Sequence, residues 1–245
     1  PECVVMKIML DDLKREVHVW YCNPRVIRDE STLMAYESVL SDQEVQQYQR
    51  YHFDKDRHSY LVSHALLRHS LSRYADVPAS AWQFTKNEHG KPALILQAGM
   101  PAINFNLTHT DGLTACVVAL DLACGIDAEN INRKNRLQAV ANRMFADEEL
   151  KRLSEDDIQK NFFYYWTLRE SYVKALGTGL SGSSKDFYFD IAQQGTSAVV
   201  KHRDRQQLVD NSWFFRLFEP TPEHVLSVAC NSVNPVAVRL RELIP

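Results

Sequence analysis

The clearest hydrophobic pattern in this chain lies at residues 162–180, FFYYWTLRESYVKALGTGL. Its large apolar side chains recur at helical spacing, so the segment is predicted to form an amphipathic helix that packs on a core. Gly177 follows the last apolar residue and is the expected C-cap. Glu170 and Lys174 lie on one face of this helix because they are four residues apart. A solvated ion pair is the ordinary interpretation, but Trp166 and the glycine-rich exit favour a helix end that lines a pocket.

Apolar spacing also predicts helices in other parts of the chain. Ser41 and Glu44 form the S-x-x-E pattern of a capping box, so a helix is expected to begin there and to run to about residue 51. Residues 59–75 repeat apolar positions at helical spacing and predict a second helix. A basic helix is expected at 133–144, and Asp147 is the predicted N-cap of the helix after it.

Alternating runs and short apolar runs bounded by turn residues predict β-strands in both halves of the chain. The expected strands are 3–9, 16–21, 82–85, 103–109, 113–121, 125–129, 187–192, 197–201, 212–218 and 224–230, and the polar segment 11–15 is expected to be a turn. The segments THTDGLTACVVAL and PTPEHVLSVACNS are weakly alike, which indicates two similar halves. We therefore predict an α+β fold with two subdomains, 1–124 and 125–245.

Composition narrows the functional classes. The net charge is −3, so the chain has no overall basic field for nucleic acid or an anionic membrane. No apolar run reaches the length of a transmembrane helix, and we recognise no secretory signal. The five cysteines are scattered and odd in number, which is typical of reduced, buried thiols in a cytoplasmic protein.

Residues 125–129, GIDAE, carry the second informative pattern. On a strand, Asp127 and Glu129 point to the same face, where their charges repel each other. Either a basic partner or a bound cation would stabilise them, and carboxylates together with substrate phosphates are the ordinary arrangement around Mg²⁺. The more common alternative is an exposed strand whose acidic residues bind nothing.

Three further segments offer groups that could bind an anion. The first is a cationic cluster between two predicted helices, the second a Gly-Lys-Pro turn, and the third a strand end where a histidine is flanked by threonines. The candidates are Arg50, Lys55, Arg57, Gly90, Lys91, Pro92, Thr108 and His109. Solvated charges, an ordinary turn and a structural histidine are the competing interpretations.

Taken together, these segments resemble the Sfp-type 4′-phosphopantetheinyl transferases. The motifs that carry the resemblance are GKP at 90–92, FNLTHTDG at 105–112, GIDAE at 125–129, FADEE at 145–149 and WTLRESYVKALGTGL at 166–180. The resemblance implies a pseudo-dimer of two similar α/β subdomains, with the active site in the cleft between them. It also implies Mg²⁺, coenzyme A as donor and an apo carrier protein as acceptor.

The same resemblance implies roles for individual residues. The implied metal ligands are Asp127, Glu129 and Glu170, and the implied catalytic residues are Glu149, Lys174 and Glu170. The implied coenzyme A contacts are Arg50, Lys55, Arg57, Gly90, Lys91, Pro92, Thr108, His109 and Lys174. Glu149 would activate the acceptor serine, with Glu148 as the alternative. Arg169 stands where the family often has lysine, which preserves the charge and adds a fork suited to phosphate.

Two other functions remain open from the residues. The carboxylates also suit another Mg²⁺-dependent phosphoryl or nucleotidyl transferase, or a hydrolase, and a non-catalytic coenzyme A-binding protein is the second alternative. An acyl, peptidyl or aryl carrier domain is the expected partner of a monomer. Carrier domains are usually acidic, so the basic residues Arg133, Lys134, Arg136 and Arg143 are candidate contacts by charge alone.

Overall fold

The structure, a computed structural model, describes residues 9–96, 99–133, 137–153, 158–179, 185–193, 195–203 and 210–245. The chain divides into two compact units. The first unit ends at Asp121 and includes Ala237–Pro245, and the second is Leu122–Val236. Residues 237–245 therefore group with the first unit. The subdomain boundary at residue 124 stays a prediction.

The first unit is built on a four-stranded sheet. Strand β1 (Glu16–Cys22) leads into helices α1 (Glu30–Ser38), α2 (Asp42–Gln49) and α3 (Asp54–Leu71), and these precede strands β2 (Phe84–Lys86), β3 (Pro92–Leu94), β4 (Ile103–Thr110) and β5 (Leu113–Leu120). The sheet order is β11-β1-β5-β4, where β11 (Ala237–Glu242) runs parallel to β1 and the other pairs are antiparallel. Strands β2 and β3 form a separate two-stranded hairpin.

Helix α3 covers this sheet and supplies much of the core of the first unit. Its apolar positions recur at helical spacing, so Leu61, Ala65 and Leu66 all lie in the buried core. They pack together with Trp20 of β1 and Cys116 of β5. The hydrophobic pattern of residues 59–75 thus produces the predicted helix, although α3 begins earlier, with acidic residues in its first turn.

The second unit also has a strand, then three helices, then further strands in chain order, but its sheet has five strands. Strand β6 (Cys124–Asn130) is followed by helices α4 (Leu137–Met144), α5 (Asp147–Leu153) and α6 (Ile158–Leu176), and these precede strands β7 (Phe187–Ile191), β8 (Ser197–His202), β9 (Phe214–Thr221) and β10 (His224–Cys230). The sheet order is β6-β10-β9-β8-β7, and each pair is antiparallel. Helix α6 packs on β6 and β10.

The helix at 162–180 is confirmed as α6, and its C-terminus ends as predicted. Gly177 has φ +69°, and its amide donates a 3.0 Å hydrogen bond to the carbonyl of Val173. A left-handed residue at this position is the usual helix stop, and glycine adopts it without steric cost. The predicted capping box is also confirmed, because Ser41 and Glu44 hydrogen-bond reciprocally at the start of α2.

Several expectations were wrong or incomplete. Residues 9–13 are helical, so the turn predicted at 11–15 is wrong in its first part, while residues 3–8 of the first predicted strand lie outside the described residues. Asp147 is the first residue of α5 rather than its N-cap. The sequence patterns did not predict α1, β3 or β11, whose segments are short and mostly half-buried or exposed.

Other findings concern cysteines and membranes. Cys22, Cys116, Cys124 and Cys230 are free and buried, as expected, and Cys3 lies outside the described residues. No helix among the described residues combines the length and the hydrophobicity that crossing a bilayer requires.

Candidate active site

Gly125 sets how closely helix α6 approaches strand β6. A Cβ atom at this position would lie 2.0 Å from the backbone oxygen of Ser171 and 2.5 Å from the backbone nitrogen of Ala175. Such distances are far inside van der Waals contact, so only glycine allows the helix backbone to rest on the strand. The residues that follow Gly125 on β6 are therefore brought close to the last turns of α6.

This approach brings the two acidic motifs of the second unit together. Asp127 is 6% exposed, and its Oδ1 atom accepts a 2.6 Å hydrogen bond from Nζ of Lys174. The same ammonium donates a 3.2 Å hydrogen bond to the carbonyl oxygen of Ile126. Glu129 follows on the same face of β6, and its Oε2 atom lies 3.4 Å from Nη1 of Arg133. The strand and the helix thus contribute to one charged cluster.

Glu170 lies one helical turn before Lys174 on α6, so it faces the same cluster. Burial raises the pKa of Glu170 above its ordinary value, and the nearby charges of Asp127 and Glu129 raise it further, while Lys174 acts in the opposite direction. Three carboxylates that repel one another are stabilised by a cation placed among them. Among the residues that the structure describes, Lys174 pairs with Asp127 and Arg133 lies beside Glu129.

The donor set suits a hard divalent cation, although the side chains are arranged as ion pairs. Within the residues that the structure describes, no group of three or more His, Cys, Asp or Glu side chains is arranged to hold a metal ion. The ligands offered by β6 and α6 are carboxylate oxygens, the type that Mg²⁺ selects. The residues therefore fit Mg²⁺ by their chemistry, and binding requires the carboxylates to exchange their present partners.

Glu149, predicted as the base, occupies a different environment. Its side chain is 0% exposed. The Oε2 atom accepts hydrogen bonds from Nε and Nη2 of Arg169, at 3.0 and 2.5 Å, and from the backbone amide of Ala146 at 3.0 Å. The Oε1 atom accepts a 2.9 Å hydrogen bond from the backbone amide of Phe189. Both carboxylate oxygens are therefore bound inside the second unit.

Glu148, the alternative base, lies at the surface. Its Oε2 atom accepts a 2.7 Å hydrogen bond from Nη2 of Arg203, and its side chain is partly exposed. The hydrogen bond from Arg203 lowers the pKa of Glu148, since it stabilises the charged form. Glu148 is thus accessible and ionised at neutral pH, whereas Glu149 is enclosed.

A large cavity in the first unit collects part of the predicted coenzyme A set. Its volume is about 1190 Å³. The predicted residues that line it are Arg50, Gly90, Pro92 and His109. Lys86 also lines it and was not predicted, although its position four residues before Gly90 could have suggested a second cation near the turn. Aromatic side chains form other parts of the wall, including Tyr60 and Trp82.

The other predicted contacts do not line this cavity. Lys55 is exposed on the first turn of α3. Arg57 donates a 3.0 Å hydrogen bond to the carbonyl of Tyr51 and lies 3.5 Å from Asp54. Lys91 donates its backbone amide to the side chain of Asn87 at 2.8 Å, which closes the turn. Thr108 is buried within β4.

Models of known protein families match residues in both units. Residues 123–229 match the model of the 4′-phosphopantetheinyl transferase superfamily, and residues 28–120 match the model described as 4′-phosphopantetheinyl transferase, N-terminal. The 4′-phosphopantetheinyl transferase HetI of Nostoc sp. is 33% identical over 174 residues, which cover 69% of this chain and 72% of that protein. The chain therefore belongs to the 4′-phosphopantetheinyl transferase superfamily.

Two further relatives indicate which type of 4′-phosphopantetheinyl transferase this chain is. The 4′-phosphopantetheinyl transferase gsp of Aneurinibacillus migulanus is 29% identical over 70% of this chain and 70% of that protein. The 4′-phosphopantetheinyl transferase Sfp of Bacillus subtilis is 29% identical over 67% of this chain and 72% of that protein. Within the superfamily, the chain is thus an Sfp-type 4′-phosphopantetheinyl transferase, as the sequence motifs predicted.

Proposed function

We propose that this Sfp-type 4′-phosphopantetheinyl transferase moves the 4′-phosphopantetheine group of coenzyme A to a serine of an apo acyl, peptidyl or aryl carrier protein. The serine oxygen forms a bond to the β-phosphorus of coenzyme A. The bond from that phosphorus to the bridging oxygen breaks, 3′,5′-ADP leaves with the bond's electrons, and the serine proton passes to a base. The observation that carries the proposal is the cluster formed by Asp127, Glu129, Glu170 and Lys174 in the second unit.

The cluster supports a metal-assisted transfer. Asp127, Glu129 and Glu170 would hold Mg²⁺, which when bound offsets charge on the pyrophosphate oxygens. Phosphoryl transfer depends mainly on positioning and on electrostatic stabilisation, and this requires cations around the leaving group. Lys174 is therefore proposed to leave Asp127 and to place its ammonium beside the pyrophosphate. Arg133, which lies beside Glu129, would be released in the same exchange.

The cavity of the first unit supports the proposal for coenzyme A. Arg50 and Lys86 are cations on its wall, and His109 adds a hydrogen-bonding ring. Phosphate groups favour such donors, and the aromatic wall suits a purine. Gly90 and Pro92 also line the cavity and are proposed to follow the adenine and the phosphates. Lys91, Thr108, Lys55 and Arg57 do not line it, so their contacts with coenzyme A stay predictions from the family resemblance. We also propose a pseudo-dimer with an active-site cleft, a monomeric state and a cytoplasmic location.

Recognition of the carrier protein is proposed to use positive charge. Arg143 lies in the last turn of α4, and Arg133 precedes that helix. Both could face the acidic surface that carrier domains usually present. Lys134 and Arg136, predicted for the same contact, lie outside the described residues. No nucleic acid or membrane partner is proposed.

A mass-shift assay tests the function directly. The full chain is incubated with coenzyme A, Mg²⁺ and a panel of apo acyl, peptidyl and aryl carrier proteins, and the products are analysed by intact-protein mass spectrometry. We expect one phosphopantetheine mass on the carrier, located on a serine, and an equal amount of 3′,5′-ADP. Hydrolysis of coenzyme A without a carrier adduct would favour the alternative of a Mg²⁺-dependent hydrolase. Tight binding of coenzyme A with neither product would favour a binding protein.

A further inference from the structure

The carboxylate of Glu149 is completely engaged by its own unit. It binds a guanidinium from α6, a backbone amide of β7 and the amide that precedes α5. With 0% of its surface exposed, it offers no oxygen to a serine that approaches from solvent. A general base must reach the proton directly or through one water. The same contacts therefore indicate a structural role for Glu149.

The first unit contains an equivalent buried glutamate–arginine pair, which is distant in sequence from the acidic motifs of β6 and α6. Glu44 on α2 accepts hydrogen bonds from Nε and Nη2 of Arg68 at 3.0 and 2.5 Å, both through Oε2. Arg68 also lies 5.1 Å from the centre of the Phe84 ring, just as Arg169 lies 4.7 Å from the centre of the Phe187 ring. In each unit a short helix, a long helix and the next strand are tied by one buried arginine.

The position of Arg169 in sequence connects this tie to the acidic cluster. Successive helix residues are about 100° apart, so Arg169 and Glu170 project in different directions from α6. Arg169 is bound to Glu149 and to the carbonyl oxygen of Phe187 at 2.9 Å. The next face of the helix rests on β6 at Gly125. These two attachments fix the rotation of α6 about its own axis and its distance from β6. They therefore fix the position of Glu170.

We propose that Glu149 is a positioning residue, which through Arg169 holds Glu170 against Asp127 and Glu129, and that it does not take the serine proton. This inference rests on the proposed function, because its purpose is to align carboxylates for Mg²⁺. It also assigns the Glu44–Arg68 pair as the corresponding tie of the first unit, where Glu44 lies on the wall of the cavity and is not part of the acidic cluster. The chain thus provides its own control: the same buried pair, with and without acidic ligands beside it.

The experiment compares Glu149→Gln with the matched variant Glu44→Gln in the full chain. Binding of Mn²⁺, used as a probe for the Mg²⁺ site, is followed by electron paramagnetic resonance without coenzyme A or carrier protein. Both variants are expected to lower the thermal midpoint. Only Glu149→Gln is expected to raise the Mn²⁺ concentration for half-saturation, by about tenfold, while Glu44→Gln changes it less than about twofold. Arg169→Gln removes the guanidinium that joins Glu149 to α6 and is expected to act like Glu149→Gln, which provides a second variant if Glu149→Gln does not fold.

The pH profile separates positioning from base catalysis. If Glu149 positions Glu170, the acidic limb of kcat/KM for carrier modification stays at the same pH in Glu149→Gln, although the rate falls. Loss of that limb with unchanged Mn²⁺ binding would overturn the inference, because it would identify Glu149 as the base. Equal weakening of Mn²⁺ binding in Glu44→Gln would also overturn it, because general destabilisation would then suffice. Differential Mn²⁺ binding without any transfer by the wild type would defeat the proposed function and would support only the positioning of the metal ligands by Glu149.

Discussion

The two units use the same framework with different residues where the chemistry is expected. In each unit a long helix packs against a strand, and that strand pairs with a β-hairpin. The hairpin is β4–β5 in the first unit and β9–β10 in the second. In each, a buried arginine on that helix binds a glutamate from the preceding short helix. The framework is therefore present with and without the acidic cluster, which among the described residues belongs to the second unit.

The pairing register identifies which residues correspond. The fourth residue of β5, Cys116, is opposite Trp20, and the fourth residue of β10, Ser227, is opposite Asp127. Five residues after the two arginines stand Arg73 and Lys174. The guanidinium of Arg73 lies 5.0 Å from the centre of the Trp20 ring, whereas Nζ of Lys174 lies 2.6 Å from Oδ1 of Asp127. A cation meets an aromatic ring in one unit and a carboxylate in the other.

The contact between helix and strand differs in a related way. By the same register, His18 corresponds to Gly125. His18 is buried, and its Nδ1 atom forms a 2.7 Å hydrogen bond with the hydroxyl of Tyr74. Gly125 instead lies directly beneath the backbone of α6. The first unit fills this position with a histidine side chain, whereas the second has a glycine, which draws the helix carboxylate and lysine towards the strand carboxylates.

The largest effect is expected from removing a carboxylate of the cluster. Asp127→Ala and Glu170→Ala should reduce carrier modification below about one thousandth of the wild-type rate, because charge stabilisation of the transfer is lost. The control is His69→Gln, at the first-unit position that matches Glu170, and it should stay within about twofold. Product mass spectrometry measures the rates, and circular dichroism checks that each variant folds. Wild-type turnover by Asp127→Ala with Mg²⁺ would refute the metal assignment.

The next effect concerns the close approach of α6 to β6. Gly125→Ala should lower the free energy of unfolding by about 3 kcal/mol, because the added methyl group meets helix backbone that cannot move alone. Gly195→Ala is the control: its φ is +68° with open space around it, so about 1 kcal/mol of backbone strain is expected there. Urea denaturation measures both. A smaller loss for Gly125→Ala than for Gly195→Ala would contradict this account of the interface.

A tenfold effect is expected from the cations of the first-unit cavity. The double variant Arg50→Gln/Lys86→Gln should raise KM for coenzyme A by about tenfold, because charge-assisted contacts to phosphate are lost, and should leave kcat nearly unchanged. The double variant Lys14→Gln/Arg15→Gln removes two exposed cations of the first unit that do not line the cavity, so it provides the control and should shift KM less than twofold. If this control has the larger effect, the phosphates of coenzyme A do not bind in the cavity.

The smallest expected effect is a difference between the Glu44–Arg68 and Glu149–Arg169 pairs in how their contributions to stability depend on pH. Burial alone would raise the pKa of Glu44, but hydrogen bonds from His64 and Arg68 lower it to about 2. A depressed folded-state pKa adds stability above the unfolded-state value of 4.5, and this is lost as the pH falls. Between pH 7 and pH 4, Glu44→Gln should therefore recover roughly 1 kcal/mol relative to the wild type in urea titrations.

The Glu149 pair is expected to behave in the opposite way. Burial raises the pKa of Glu149, and the contribution of Arg169 only partly opposes this. A raised folded-state pKa favours the protonated form, so the contribution of Glu149 to stability grows as the pH falls towards the unfolded-state value and declines as the pH rises. Glu149→Gln should therefore not regain stability at pH 4. If the free energies of unfolding of Glu44→Gln and Glu149→Gln depend on pH in the same way, the deeper burial of Glu149 does not give the two pairs different titration behaviour.

Local patterns were sufficient for many elements and for the acidic motifs. The capping box at Ser41 and the stop at Gly177 were readable because each depends on a few neighbouring residues. The D-x-E strand and the E-x-x-x-K helix were readable as same-face pairs for the same reason. Strand β11 was missed because its partner, β1, lies more than two hundred residues earlier, and no local signal records a parallel pairing of that kind.

The sequence by itself determined which residues carry charge, which faces are apolar and which family the motifs resemble, since these follow from residue type and spacing. Only the tertiary structure decided that Glu149 is enclosed by Arg169 and Phe189 and that Lys86 lines the cavity of the first unit. The physical reason is that burial and partner choice are properties of packing between distant segments. A carboxylate in the first turn of a helix has the same local sequence signature whether its oxygens meet a substrate or a buried arginine.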